Sequence, residues 1–286
     1  MKWIARIRPY ARVLRDLHRY RFHFKRRRDW LWLMCVSAVH TLSGALGLRG
    51  VRCRVRLPDD PRPVTIRLGT GDFRGLVEVY LQDVYAFATP ALTSLVPPVS
   101  TVVDLGANIG LTVRLWSRLF PAATIIVVEP DAENITLCAT NVSAVHERVT
   151  FFRCFVADVA GSAAIDRALG TWAYRMSTPG RWPDQEAIVV RTMPDIIAEA
   201  DLGATQIDLL KCDIEGTESV LFRGGPAWLQ RVRAILAEVH GPYTPADLVA
   251  DVHGAGGRWD ATVALNVVLL VRRSGSSQSG VVHQVS

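Results

Sequence analysis

The sequence has no CxxC pair, no G-x-G-x-x-G fingerprint, no Asn-Pro-Pro-Tyr element and no long apolar run free of polar residues. Its five cysteines, Cys35, Cys53, Cys138, Cys154 and Cys212, are odd in number and widely spaced, which argues against a zinc ribbon or a redox dithiol. Cys138 and Cys154 lie among apolar residues, where a thiol serves as a small buried hydrophobe, and a reduced, cytoplasmic protein is expected. Trp30 to Leu48 has about the length of a membrane span, but Ser37, His40, Thr41, Ser43 and two glycines interrupt it. The arginines before it would stay on the cytoplasmic side and carry the rest of the chain across. Arg27-Arg28-Asp29-Trp30-Leu31 resembles a twin-arginine export signal only faintly. A buried or interfacial helix is the expectation here.

Acidic residues are also missing from the start of the chain. From Met1 to Arg28 eleven Lys and Arg residues face one acid, Asp16, a net of +10; the chain's +6 therefore leaves −4 for everything after Arg28. Between Pro9 and Phe24, Leu14, Leu17 and Tyr20 recur at helical spacing, with Arg12, Arg15 and Arg19 on a neighbouring face. Such a helix packs on the body of the protein or stays solvated; the alternative is that it lies on an anionic membrane surface or binds a polyanion, with residues 1–28 in peripheral contact with the inner face of a membrane. Residues 1–50 are assigned to these N-terminal helices. Residues 51–98 form a cap that leads into the next domain: Val51 to Leu57 and Val64 to Leu68 alternate like two strands of a hairpin, and Phe73 to Phe87 is helix-like.

The chemistry begins at residue 99. Thr101-Val102-Val103-Asp104-Leu105-Gly106-Ala107-Asn108-Ile109-Gly110 is an apolar strand entering a glycine loop, followed by a helix with Leu111, Leu115 and Leu119 on one face. Glycines suit a sharp turn that a ligand approaches closely. The next strand, Thr124 to Val128, ends in Glu129, where a ribose diol finds an acceptor. A dinucleotide needs a pyrophosphate on the helix N-terminus, and Asp104 would repel it. A sulfonium ligand with an α-amino group is compatible with that carboxylate, so S-adenosyl-L-methionine is the expected cofactor, and a cytosolic cofactor argues further against export. Asp131 is placed to cap a helix through Val142. Val149 to Phe155 reads as a third strand, and Asp158 follows it as a candidate partner for an adenine amino group. Trp172, Tyr174, Arg175, Arg181 and Trp182 lie in an irregular stretch suited to sugar stacking or to loop packing.

A second motif starts as a strand at Ile207 and ends with Lys211, Asp213 and Glu215 at alternate positions before Gly216. Ligands of open α/β sheets bind beyond the carboxyl ends of the strands, so this cluster should border the glycine loop. Val232 to Val239 is a further buried strand ending at His240, a candidate general base. Arg258 to Val263 and Asn266 to Val271 read as a closing hairpin, and residues 274–286 as a disordered tail.

Taken in order, VVDLGANIGLT, VVEPDAEN, LLKCDIEGTE, AEVHGPY and NVVLLV resemble the FkbM family of methyltransferases from about Arg67 to Val271. The resemblance implies a Rossmann-like class I α/β fold, with a seven-stranded, mostly parallel sheet, a C-terminal antiparallel hairpin and a methyltransferase domain over residues 99–273. It implies S-adenosyl-L-methionine as cofactor and O-methylation of a sugar in a glycan or glycolipid, or of a polyketide hydroxyl. Asp104, Gly106, Asn108, Gly110 and Glu129 match the cofactor motif, with Asn134 beside them. Lys211, Asp213, Glu215 and Gly216 match the family's K-x-D-x-E-G. Ala157 departs from the glycine usual before the aspartate, which weakens the case for Asp158.

A hydroxyl needs its proton removed as the methyl arrives, so Asp213, Glu215 or His240 is the expected base, and Lys211 the group that orients the acceptor or stabilises its alkoxide. No metal is assigned, although Asp213, Glu215 and His240 could hold a divalent ion. The competing readings are a nitrogen or carbon acceptor, including nucleic acid reached through the basic arm, a nicotinamide oxidoreductase, and a non-catalytic binding module. Nucleic acid is not the expected partner, and the sequence leaves the acceptor and the oligomeric state open.

Overall fold

The computed structural model describes residues 17–58, 60, 62–166, 175–177, 186–202, 205–273 and 282–284. They divide into two compact units, one running up to Val84 and the other from Tyr85 onward.

In the first unit, the first half of the expected helix from Pro9 to Phe24 lies outside the described residues; residues 17–19 are helical and Tyr20–His23 form a short 3-10 turn. Helix α1, Arg27–Leu42, buries Leu33, Val36 and Ser37. It starts earlier than Trp30 and stops before Gly44 and Gly47, short of the expected Leu48. No described helix is long and apolar enough to cross a membrane. Strands β1, Arg52–Val55, and β2, Val64–Arg67, form the expected antiparallel hairpin, pairing Arg52 with Arg67 and Val55 with Val64. Helix α2 is Asp72–Tyr80, shorter than the Phe73 to Phe87 pattern suggested. Asp72, 3% exposed, accepts from the Arg67 backbone N–H at 2.8 Å and from its guanidinium at 2.9 Å, which ties the helix start to β2.

The second unit opens with helix α3, Thr89–Thr93, with Pro90 in its first turn. Its main sheet contains β3 Thr101–Leu105, β4 Thr124–Val128, β5 Val149–Phe152, β10 Ile207–Cys212, β11 Val232–Glu238, β12 Trp259–Ala264 and β13 Val267–Arg272. Their order is β12-β13-β11-β10-β3-β4-β5, with only β13 antiparallel among the seven. This is the Rossmann-like class I methyltransferase arrangement. All five residues of β3 and all six of β10 are buried, as expected for central parallel strands covered on both faces. Helices α4, Leu111–Leu119, and α5, Ala132–Asn141, follow β3 and β4, and Asp131 caps α5 by accepting from Asn134 N–H at 2.9 Å. In the tail expected to be disordered, Val282–Gln284 form β14, which adds to β12 in parallel.

The third expected strand divides. β5 stays in the main sheet, while β6, Phe155–Val156, joins β7 Gly161–Asp166, β8 Arg175–Ser177 and β9 Ile188–Arg191 in a second sheet of order β6-β9-β7-β8. The stretch read as irregular therefore contains ordered pairing. Trp172, Tyr174, Arg181 and Trp182 fall outside the described residues. Helix α6, Met193–Glu199, then begins with a Thr192–Asp195 capping box and returns the chain to β10.

Candidate active site

The register of the central sheet brings the two sequence motifs together. β10 lies parallel to β3 with Lys211 opposite Asp104, so the lysine of one motif meets the leading acid of the other. Lys211 Nζ is 3.1 Å from Asp104 Oδ1 and donates to the carbonyl of Gly106 at 2.8 Å. Thr112 Oγ donates to Asp104 Oδ2 at 2.6 Å. Asp104 is 0% exposed and Lys211 2%. Burial would lower the lysine, but the Asp104 and Asp213 carboxylates hold it above its ordinary range. Breaking one member of such a buried pair costs about 3–5 kcal/mol. Both residues therefore brace the loop from beneath.

The loop's glycines are needed by the chain itself. Gly106 has φ +73°, and a β-carbon there would stand 1.8 Å from the carbonyl oxygen of Asp213. Gly110 has φ +84°, and its β-carbon would meet Cys138 Sγ at 2.6 Å. Their absent side chains admit the end of β10 and helix α5. Asn108 also has a positive φ, 49°, and its side chain accepts from Ile109 N–H at 2.8 Å.

Glu129, at the tip of β4, is 4% exposed. Its carboxylate accepts from Asn108 N–H at 2.9 Å, Asp131 N–H at 3.0 Å and Asn134 Nδ2 at 3.2 Å. Burial nevertheless pushes it up to about 7, against the lowering effect of those donors. A carboxylate has about four acceptor positions, so three donors leave room for one more partner. Asp158, just after β6, is exposed.

Beyond the ends of β10 and β11 the acids crowd. His240 Nδ1 donates to Glu218 Oε1 at 3.0 Å, while its Nε2 faces Glu238 at 3.6 Å, Glu215 at 3.7 Å and Asp213 at 3.9 Å. Burial would lower His240, but the hydrogen bonds to Glu218 and Glu238 and the charges of Asp213 and Glu215 raise it to about 11. At neutral pH it is an imidazolium, not a free base. Asp213 is raised to about 6, first by burial and then by Glu238, although Lys211 and His240 pull it down. Its Oδ1 is buried and accepts no hydrogen bond from any described residue. Glu215, on a left-handed turn at φ 56°, is raised to about 7 by burial and the charge of Asp213. Asp213, Glu238 and His240 each offer a ligand atom within 4.8 Å of the others, a set of the kind that can take a cation.

The structure thus gathers Lys211, Asp213, Glu215 and His240 at one end of the sheet, with Asp104 and Gly106 beneath them. It adds Glu218 and Glu238, which the sequence reading did not assign to the site. Glu218, 0% exposed, begins helix α7, Glu218–Phe222, accepts from Ile214 and Gly216 N–H groups, and orients His240. Glu238 accepts from Asn266 Nδ2 at 2.9 Å. It stands two residues before His240, the same alternation that singled out Lys211, Asp213 and Glu215, and that signal was available. Tyr85, 4% exposed, is raised by burial and feels the charges of Lys211 and Asp213.

The model of the methyltransferase FkbM domain matches residues 104–254. The chain is 26% identical over 157 residues to the 2-O-methyltransferase NoeI of Sinorhizobium fredii (strain NBRC 101917 / NGR234), covering 49% of this chain and 63% of NoeI. It therefore spans less than two thirds of that relative's length. Among solved structures, a METTL16 MTase domain has TM-score 0.46 at 12% identity, covering 84% of this chain and 79% of that one. The precorrin-6y C5,15-methyltransferase of Geobacter metallireducens GS-15 has TM-score 0.41 at 13% identity, covering 66% of this chain and 86% of that one.

Proposed function

Because the chain belongs to the FkbM methyltransferase family, its domain model matching more than half of the residues, we propose that it is an S-adenosylmethionine-dependent O-methyltransferase. The acceptor is a hydroxyl on a sugar of a glycan or glycolipid, or on a polyketide-type product. The observation that carries the reading is the buried Oδ1 of Asp213, which accepts no hydrogen bond from the described residues, set at the end of β10 where Gly106 receives its carbonyl. An oxygen acceptor is supported by the 2-O-methyltransferase relative.

The residues present fit the donor. Glu129 keeps acceptor capacity for a ribose hydroxyl, and Asp104 already has its charge answered by Lys211. When bound, S-adenosylmethionine supplies a methyl group on a sulfonium. Glu129, Asn134 and the Gly106–Gly110 loop are the donor's binding residues, with Asp158 a further candidate at the surface.

Asp213 is the proton acceptor for the substrate hydroxyl. A base with a pKa near the working pH is effective because it is ionised yet still takes a proton in the transition state. Raised to about 6, Asp213 meets that requirement, and Glu215 at about 7 can receive the proton in turn. The His240 imidazolium offers a positive charge to the developing alkoxide. Glu218 holds the ring through Nδ1, so that Nε2 keeps its direction. Lys211 positions the loop and does not touch the acceptor. This moves two duties from the sequence reading: the cationic role passes from Lys211 to His240, and the basic role rests on the carboxylates.

The test is transfer of tritiated methyl from S-adenosylmethionine to free and lipid-linked glycans, with the labelled position found by fragmentation. Alkali-stable label on a sugar oxygen, lost in Asp213→Asn, supports the proposal. Label on nitrogen or carbon of any acceptor contradicts it.

A further inference from the structure

Helix α1 is apolar on both faces, and only one of them is covered. Leu33, Val36 and Ser37 face inward. Arg28, Leu31, Trp32, Cys35 and Leu42 recur at helical spacing on the other side, where Leu31 is 46% exposed, Trp32 51% and Leu42 51%. Phe22 before the helix and Leu46 after it are exposed at 79% and 56%. A helix serving only to pack on its own unit would turn polar residues to water.

Cations frame this stripe. From Leu17 to Pro58 ten Arg and Lys residues face one acid, Asp29. On β1, Val55 points inward while Arg52 and Arg54 face solvent, and Arg56 continues the alternation. Arg28, Asp29, Trp32, Arg54, Arg56 and Pro63 line a cleft of about 600 Å³. Trp32 Nε1 donates to the Arg54 carbonyl at 2.7 Å, which fixes the indole beside the guanidinium row. Asp29 lies 3.5 Å from Arg56 and 4.0 Å from Arg28, while Arg52 and Arg54 have no carboxylate partner among the described residues.

We propose that the outer face of α1 and the arginines of β1 form a docking surface for an anionic phospholipid bilayer, with a lipid phosphate in the Trp32–Arg54 cleft. Arginine and lysine stems reach headgroup level while Leu31, Trp32 and Leu42 enter the acyl boundary. Helix α1 has 16 residues, too short to span, so it lies in the plane of the interface. The charge pattern selects this occupant over others. A second copy would set ten cations against ten, and a nucleic acid would leave the leucines uncovered. The surface belongs to the first unit and does not depend on the methyl-transfer reading.

The test is flotation of the full chain with vesicles of phosphatidylcholine alone or mixed with phosphatidylglycerol. Binding to the mixed vesicles only, weakened by salt, is expected. Arg54→Glu with Arg56→Glu should weaken it at least about tenfold, since each arginine near an anionic surface contributes about fivefold. Leu31→Asp with Leu42→Asp should abolish it, with circular dichroism and S-adenosylhomocysteine binding unchanged to show that the fold persists. Inorganic phosphate should compete no better than chloride at equal ionic strength. Failure to float, equal binding to neutral vesicles, displacement by phosphate alone, or a self-association that Leu31→Asp disrupts would each overturn the proposal.

Discussion

Strand β10 carries a buried aspartate at its start and a half-buried one follows just past its end, and the two have opposite surroundings. Asp208 accepts from Ser100 N–H at 2.7 Å, Ser100 Oγ at 2.8 Å, Thr101 N–H at 3.1 Å and Arg233 Nη1 at 2.6 Å. Burial would raise it, but those donors carry it below its ordinary range. Asp213, at the other end, keeps an oxygen without a donor and is raised to about 6. One strand thus uses the same side chain to join the sheet at its amino end and, in the proposed mechanism, to supply the reactive carboxylate at its carboxyl end. The less exposed of the two is the one held low, because four donors reach the Asp208 carboxylate.

Substitutions can break that comparison. The largest effect is expected from Asp213→Asn, which should lower kcat by about 10²–10⁴ while leaving the melting temperature near wild type. Asp208→Ala should do the reverse, removing about 2–4 kcal/mol of stability with kcat per folded molecule unchanged. Steady-state kinetics and thermal melts on both variants decide it. Equal kinetic loss in the two would erase the distinction.

Next in size is Glu129→Ala, which strips the acceptor from Asn108, Asp131 and Asn134. It should weaken donor binding by about a hundredfold, roughly two lost hydrogen bonds to a charged group, as read by titration calorimetry.

The pH profile sharpens the same contrast. Protonating Asp213 and Glu215 removes the proton acceptor, so kcat/KM should fall as pH drops below about 7 and then about 6. The Asp208→Ala variant should keep that profile. In stability the sign is opposite. A carboxylate raised by folding ionises later than in the unfolded chain, so these groups cost stability as pH climbs from the ordinary range to about 7. The smallest effect is that of Thr112→Val, which deletes one hydrogen bond to Asp104 and should cost about 1–2 kcal/mol in a denaturant melt.

The main sheet was largely legible because its strands announce themselves locally. Thr101–Leu105 and Ile207–Cys212 are short apolar runs ending in glycine or charge, and the Asp131 cap is a one-residue signal. The second sheet was not, because β6 has two residues, β8 three, and their partners are distant in sequence. A strand that short has no periodicity to read. Within the candidate site, the sequence picked out side chains that the fold brings together, but not their direction. Lys211 was charged and in phase with Asp213, so it read as facing substrate. Only the register of β10 on β3 places it under the loop against Asp104. Glu218 was hidden for a related reason: an acid in a first helical turn is ordinary, and its bond to His240 spans a separation that no local pattern reports.

The most direct measurement is calorimetric titration of the full chain with S-adenosylhomocysteine, using NAD as the control and Glu129→Ala and Asp208→Ala in parallel. The account predicts one-to-one micromolar binding of the first ligand alone, retained in folded Asp208→Ala and weakened about a hundredfold in Glu129→Ala. Well-folded wild-type protein that takes up no S-adenosylhomocysteine, or that binds NAD instead, would contradict it.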